Sequence, residues 1–333
     1  MVPAMLADNL PHWNGITRPY YEVWFFKVNH RASGDALWVR YTTLAPRFAA
    51  ESLRGELWAI HFDRAGGAHA AGRRVFPMAE VGLGQDPIIR LGTAELADGR
   101  ARGALDAGGV GIAWDLRYEP NAGTYHHVPR MLRRVLSTAV CSPNVDLAMR
   151  GWFDVGGRRF ECTGEPGQQG HIWGRKYGYR WSWGHCNAFA GAPGAVFEGV
   201  TAQVALGGFV TPHLTSLFVR WNGADHVLNG PAALLWTPSE HALGRWKFTA
   251  DAGELRFAGK LTARTQDIVG VGYTDTDGSM VYCHNAKIGS MVLDISKNDG
   301  GRWRAVDRLE AAGTAALEFT ERVAHPSVPV RAR

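Results

Sequence analysis

Hairpin-forming dipeptides recur along this chain, and they constrain its fold more than any other feature. Gly156-Gly157, Asn222-Gly223, Asp277-Gly278 and Asp299-Gly300 each sit between short segments of alternating apolar and polar residues. Dipeptides of this kind accept positive φ and join antiparallel strands in tight turns. Alternation of period two predicts strands over residues 20–28, 36–44, 56–62, 110–117, 145–155, 158–163, 180–189, 196–206, 216–221, 246–250, 254–258, 279–284, 291–295 and 315–322. Helical periodicity is scarce. Residues 129–137 fit either a helical turn opened by Pro129 or a loop leading into a strand. Many short strands with little helix predict an all-β, antiparallel architecture of barrels or sandwiches.

The 333 residues exceed one ordinary small domain. The glycine-rich run Gly164-Glu165-Pro166-Gly167-Gln168-Gln169-Gly170 reads as a boundary, giving expected domains at 1–165 and 166–333. A hydrophobic share of 46% against 20% charged residues predicts a folded chain with a sizeable core. No apolar run has membrane-spanning length, and residues 1–9 lack the features of a signal peptide. A cytoplasmic protein without stable membrane insertion is expected. Cys141, Cys162, Cys186 and Cys283 are widely spaced and form no C-x-x-C pair, which predicts buried free thiols. The formal charge of +5 comes from scattered Lys and Arg residues, so no nucleic-acid partner is expected. The pattern sets no oligomeric state.

The most informative segment runs from Gly170 to Phe189. From Trp181 its alternation is strict. Trp181, Trp183, His185, Asn187 and Phe189 share one face, and Ser182, Gly184, Cys186 and Ala188 share the other. Two indoles, an imidazole and an amide each need a hydrogen-bond partner when buried. This composition suits the wall of a ligand pocket. It also fits a Trp-rich packing layer with a satisfied histidine–asparagine pair.

Trp173-Gly174, followed by Trp181-x-Trp183-x-x-Cys186-Asn187-x-Phe189, resembles the motif of tocopherol cyclases. The preceding hairpin with its Gly156-Gly157 turn fits the same resemblance, whose specific part covers residues 142–200. Tyr21-Glu22-Val23-Trp24 and Tyr282-Cys283-His284-Asn285 are weaker echoes. More loosely, the chain is similar to carotenoid 1,2-hydratases and lipocalin-like Diels–Alderases. The resemblance implies two consecutive lipocalin-like (calycin) barrels with the active site where they meet. It also implies metal-independent chemistry on an isoprenoid or polyene. His171 and His185 stand where other polar residues are expected in the plant cyclases, so the same substrate does not follow.

Protonating an alkene requires an acid kept neutral by apolar surroundings, aromatic faces for the cation and a cavity that admits little water. Glu22, flanked by aromatics, is the first candidate acid, followed by Glu198 and then Asp115. His171 and His185 are candidates to transfer a proton or orient the acid. Trp24, Trp173, Trp181, Trp183, Asn187 and His284 are candidate substrate contacts. His126-His127 reads as part of a polar surface loop. No metal-binding histidine spacing, dinucleotide fingerprint or nucleophile elbow is present, so no cofactor is expected. Three readings follow: an acid-initiated cyclase or hydratase, a pericyclase that acts by shape, and a lipid carrier without catalysis.

Overall fold

The computed structural model describes residues 7–48, 53–121, 123–129, 138–206 and 208–333. The helical turn weighed for 129–137 falls almost wholly outside the described residues. The first sheet opens with β1 (Tyr20–Asn29), β2 (Ala36–Ala45), β3 (Arg54–Phe62) and β4 (Ala70–Pro77). It continues through β5 (Val81–Leu83), β6 (Ile89–Leu91), β7 (Ala94–Ala97), β8 (Arg100–Asp106) and β9 (Gly111–Arg117). The strands β10 (Tyr125–His126), β11 (Thr138–Val155) and β12 (Arg158–Gly174) complete it. Hydrogen bonding orders them β4-β3-β2-β1-β12-β11-β9-β8-β7-β6-β5, with β10 on β11.

The second sheet is built from β13 (Arg180–Cys186) and β14 (Val196–Gln203), then, after a small hairpin of β15 (Ala205–Leu206) and β16 (Phe209–Val210), β17 (Leu214–Trp221) and β18 (Ala224–Leu228). A single-turn helix, α1 (Pro231–Trp236), precedes β19 (Ser239–Ala242), β20 (Arg245–Ala252) and β21 (Leu255–Thr262). The chain ends with β22 (Val269–Thr274), β23 (Met280–Asp299), β24 (Arg302–Glu321) and β25 (Val330–Ala332). The order is β18-β17-β14-β13-β24-β23-β21-β20-β19, with β22 on β23 and β25 parallel to β22. All-β, antiparallel architecture with little helix is therefore what the alternation and turn dipeptides predicted.

Each sheet curls around its own core. Trp24, Phe26, Leu37, Val39, Leu57, Leu96, Trp114 and Phe153 converge inside the first barrel. Phe197, Leu217, Trp246, Phe248, Phe257, Leu293 and Leu317 converge inside the second. A third apolar layer joins the outer faces of the two barrels. It contains Tyr21, Val23, Phe25, Trp38, Trp58 and Ile60 from the first half, and Trp183, Val271, Tyr273, Val281 and Ala316 from the second. Strands β1, β2 and β3 are therefore buried on both faces, which explains their nearly continuous apolar sequences.

The glycine-rich run expected to mark the domain boundary is part of β12. The change of sheet falls between Gly174 and Arg180, so the expected boundary at 165/166 lies within a strand. The glycines have a packing reason. A Cβ on Gly170 would stand 2.2 Å from the Phe25 ring, and one on Gly167 would stand 2.5 Å from Met149. Side chains from neighbouring strands occupy the space these residues leave.

Polar groups also cross the seam between the barrels. Asn187 donates to Asp146 and to the Gly167 carbonyl at 2.9 Å each, and accepts from Lys27 at 3.2 Å. His185 donates from Nε2 to the Val145 carbonyl at 2.7 Å. Burial pushes the His185 pKa well below 6.5, and the nearby Lys27 and Lys287 ammonium groups add to the effect. Burial likewise lowers Lys27 to about 8. The four cysteines are buried and free, and no helix among the described residues is long and apolar enough to cross a membrane.

Replacing Gly170 with Val should cost about 1–3 kcal/mol, the usual penalty for overpacking. A lower urea midpoint at unchanged slope would show it. The neutral His185 sets a pH dependence. Below pH 6.5 the unfolded chain binds a proton there that the folded chain does not, so stability falls with pH. His185→Gln should flatten the decline between pH 7 and 5 by up to about 1.4 kcal/mol per unit, read from urea unfolding at each pH.

Candidate active site

A cavity of about 380 Å³ opens in the seam, walled by both barrels. Alternation places its lining. On β1 the odd-numbered Tyr21, Val23 and Phe25 face it, and on β13 Trp181 and Trp183 do the same. Ile172 of β12 and Val200 of β14 extend the apolar wall, and Leu234 and Leu235 of α1 contribute from one side.

Glu198 lines this cavity and is fully buried. Its partners are arranged on one side. Oε1 receives the Trp183 indole N–H at 3.1 Å, the Gln168 amide at 3.4 Å and the Ser142 hydroxyl in a short hydrogen bond. His127 Nε2 lies 3.1 Å from the same oxygen. Oε2 has no hydrogen-bond partner among the described residues, and neither has His127 Nδ1. The register of β13 on β14 sets Glu198 opposite His185 and beside Trp183. Ser142 and Gln168 reach across from β11 and β12, so three of the four donors belong to the other half.

A second polar group in the wall centres on Arg40. It is 4% exposed, and its Nε donates to the Thr42 hydroxyl at 2.9 Å. Nη2 donates to the Tyr177 hydroxyl, and the guanidinium carbon stands 3.9 Å from the centroid of the Tyr273 ring. Burial pushes the Tyr177 phenol up to about 12 and raises those of Tyr21 and Tyr273 well above 10, so all three stay neutral. A third group is the ion pair of Lys287 with Glu318 at 2.8 Å, in which Glu318 touches the cavity.

The residues expected from sequence divide sharply. Glu198, Trp181 and Trp183 line the cavity. Glu22 does not. It lies on the opposite face of β1, where its oxygens accept the His12 and Trp13 amides at 2.7 and 2.9 Å. His171 joins it at 2.9 Å through Nε2 and meets the Asp8 carbonyl through Nδ1. Trp24 donates to the Asn9 carbonyl at 2.9 Å, and Trp173 stacks on His12 at 4.0 Å. Glu22, Trp24, His171 and Trp173 thus tie the N-terminal segment across the first barrel.

His185 and Asn187 are spent on the seam contacts described above. His284 is tied to the backbone, with Nδ1 on the Phe319 carbonyl at 3.2 Å and Nε2 accepting the His325 amide at 3.1 Å. Asp115 is held below the usual carboxylate range by hydrogen bonds from Arg100 at 2.9 and 2.6 Å. His127, expected on the surface, is 1% exposed and belongs to the Glu198 cluster. Only His126 of that pair is partly exposed, and it faces Asp8 at 3.1 Å. Arg40, Ser142, Gln168, Tyr177, Tyr273 and Glu318 carried no motif. Arg40 had one signal available, as the single charge inside the strand Ala36–Ala45. Among the described residues, no three His, Cys, Asp or Glu side chains are grouped to hold a metal ion.

Comparison with known proteins finds relatives of the whole fold. An uncharacterized protein of Mycobacterium tuberculosis is 26% identical over 326 residues, spanning 94% of this chain and 92% of the relative. A Nitrosomonas europaea crystal structure designated AttH aligns over 95% of this chain and 96% of its own, at a TM-score of 0.60 and 12% identity. Kievitone hydratase of Nectria haematococca aligns over 90% of this chain and 88% of its own, at a TM-score of 0.53 and 12% identity. Both share the fold. The tocopherol cyclase-like family model matches residues 144–320, more than half of the sequence, including β13, β14 and Glu198, and the chain belongs to that family.

Proposed function

We propose that the protein is a cyclase or hydratase that protonates an alkene of an apolar, terpenoid-like molecule held in the seam cavity, with Glu198 as the acid. One observation carries this reading: four polar groups gather on Oε1 of a fully buried carboxyl in the cavity lining, while its Oε2 has no hydrogen-bond partner among the described residues. A neutral carboxyl so held carries its proton on Oε2, the oxygen with no competing donor.

Transfer of that proton to the alkene forms a C–H bond and leaves a carbocation. The faces of Trp181, Trp183, Tyr177 and Tyr273 stabilise it. Capture by an internal hydroxyl closes a ring, and capture by water gives an alcohol. Either nucleophile sheds a proton, and the bare His127 Nδ1 is placed to accept it. Passing that Nδ1 proton on, through water, to Glu198 Oε2 restores the neutral acid and leaves His127 with its proton on Nε2, as at the start. The net reaction is isomerisation or addition of water, with no external reagent beyond water. Membership in a cyclase-like family and the fold shared with a hydratase support both outcomes.

Incubation with a panel of isoprenoid alcohols and prenylated phenols, followed by mass spectrometry, should yield products isobaric with the substrate or heavier by one water. Glu198→Gln should lower turnover by about 10²–10⁴, the typical contribution of a positioned acid. Glu22→Gln should leave turnover per folded molecule close to wild type. Full activity in Glu198→Gln would remove the proton-transfer reading and favour a reaction driven by shape; recovery of unchanged ligand across the panel would favour a carrier. His127→Gln keeps a donor toward Oε1 but removes the imidazole base. It should reduce kcat by about 10–100-fold, a smaller loss than removal of the acid, with little change in KM.

A further inference from the structure

We propose that Arg40 is the binding site for a carboxylate carried by the substrate, so that the cavity takes an apolar alkene bearing one acid group. This rests on the reading of the seam cavity as the substrate site and narrows what that substrate is.

The argument is one of charge. Arg40 is 4% exposed, lines the cavity and cannot shed its proton. The hydrogen bonds of its guanidinium go to neutral hydroxyls, those of Thr42 and Tyr177. Among the described residues, no carboxylate lies within 4.0 Å of it. The carboxylates around it are committed elsewhere. Glu56 is held by Arg54 and Arg73 at 2.8 Å each. Asp275 takes Arg322 at 3.0 Å and the Tyr177 amide at 3.1 Å. Glu318 serves Lys287. Glu198 takes His127, Ser142, Gln168 and Trp183. The Tyr273 ring offsets part of the charge but supplies no counter-ion.

A buried guanidinium without a counter-charge is expensive to maintain, and an anion entering the cavity would recover that energy. The apolar wall of Val23, Phe25, Ile172, Val200, Trp181 and Trp183 excludes a small inorganic anion as a good fit. The anion must therefore belong to a larger apolar body. A single guanidinium matches one negative charge. A carboxylate supplies one, whereas a phosphate monoester brings nearly two and would leave the excess buried. Arg40 stands on β2 of the first half and Glu198 on β14 of the second, so acid recognition and proton delivery come from opposite sides of the seam.

Quenching of tryptophan fluorescence at pH 7.5 can measure binding of matched pairs: farnesoic acid against farnesol, myristic acid against tetradecanol, and 2-naphthoic acid against 2-naphthalenemethanol. At least one acid should bind wild type about tenfold or more tighter than its alcohol, the size of one charge-assisted hydrogen bond. Arg40→Gln should abolish that preference while keeping the alcohol affinity, and Glu198→Gln should retain it. Arg40→Met replaces the first variant if that variant does not fold. Equal affinity within every pair in wild type would overturn the proposal, as would a preference that survives removal of the guanidinium. Tighter, Arg40-dependent binding of farnesyl phosphate than of farnesoic acid would overturn the carboxylate assignment in favour of phosphate. Loss of the proton-transfer reading through an active Glu198→Gln would leave the Arg40 preference intact, so the two failures are distinguishable.

Discussion

Two barrels packed by their outer walls oblige the strands between them to be apolar on both faces. This constraint organises the rest of the protein. Strand β1 sends Trp24, Phe26 and Val28 into its own barrel, and Tyr21, Val23 and Phe25 into the seam. An ordinary antiparallel strand with one wet face can hide a charge on that face. Here no wet face exists, so every ionisable residue on β1 and β2 must be held by a partner or serve a purpose. Glu22 has two amides and His171, Lys27 has Asn29 and Asn187, and Arg40 has two hydroxyls and an aromatic ring.

The cavity follows from the same arrangement. The barrel interiors are filled by large side chains such as Trp24, Trp114, Trp246 and Phe248, leaving their lumens to packing. Space remains where two convex surfaces meet. Residues that arrive there from both sides make a pocket with an apolar wall and a few polar groups, the usual character of a small-molecule site. The polar groups are also well separated by role. One carboxyl is held by four polar groups, one guanidinium is left without a carboxylate, and one lysine–glutamate pair neutralises itself.

Much of the fold was legible because alternation and turn chemistry are local. The hairpins at Gly156-Gly157 and Asn222-Gly223 form where expected, and the face shared by Trp181, Trp183 and His185 does point to the seam. The reading failed where the reason was a neighbour from another strand. Residues 164–170 look like a boundary between domains, yet Gly170 is small because Phe25 lies over it. Glu22 looked like an acid among aromatics, but which of its strand's two buried faces held the cavity was not written in the strand itself. Glu198 is within reach of sequence reasoning because its strand forms a local hairpin with the Trp181 strand. His127 was missed because a polar loop sequence gives no sign that the loop turns inward onto a carboxyl on the other sheet. Ser142 and Gln168 depend in the same way on contacts across the seam.

The acid and most of the groups that shape it sit on different barrels. Glu198 and Trp183 ride on one body, and Ser142, Gln168 and His127 on the other. A sliding of one body against the other by a couple of ångströms would strip Oε1 of three contacts while leaving each barrel intact. Under the proposed reaction, competence belongs to the docked arrangement, and mild loosening of the joint would silence that chemistry well before either shell melted.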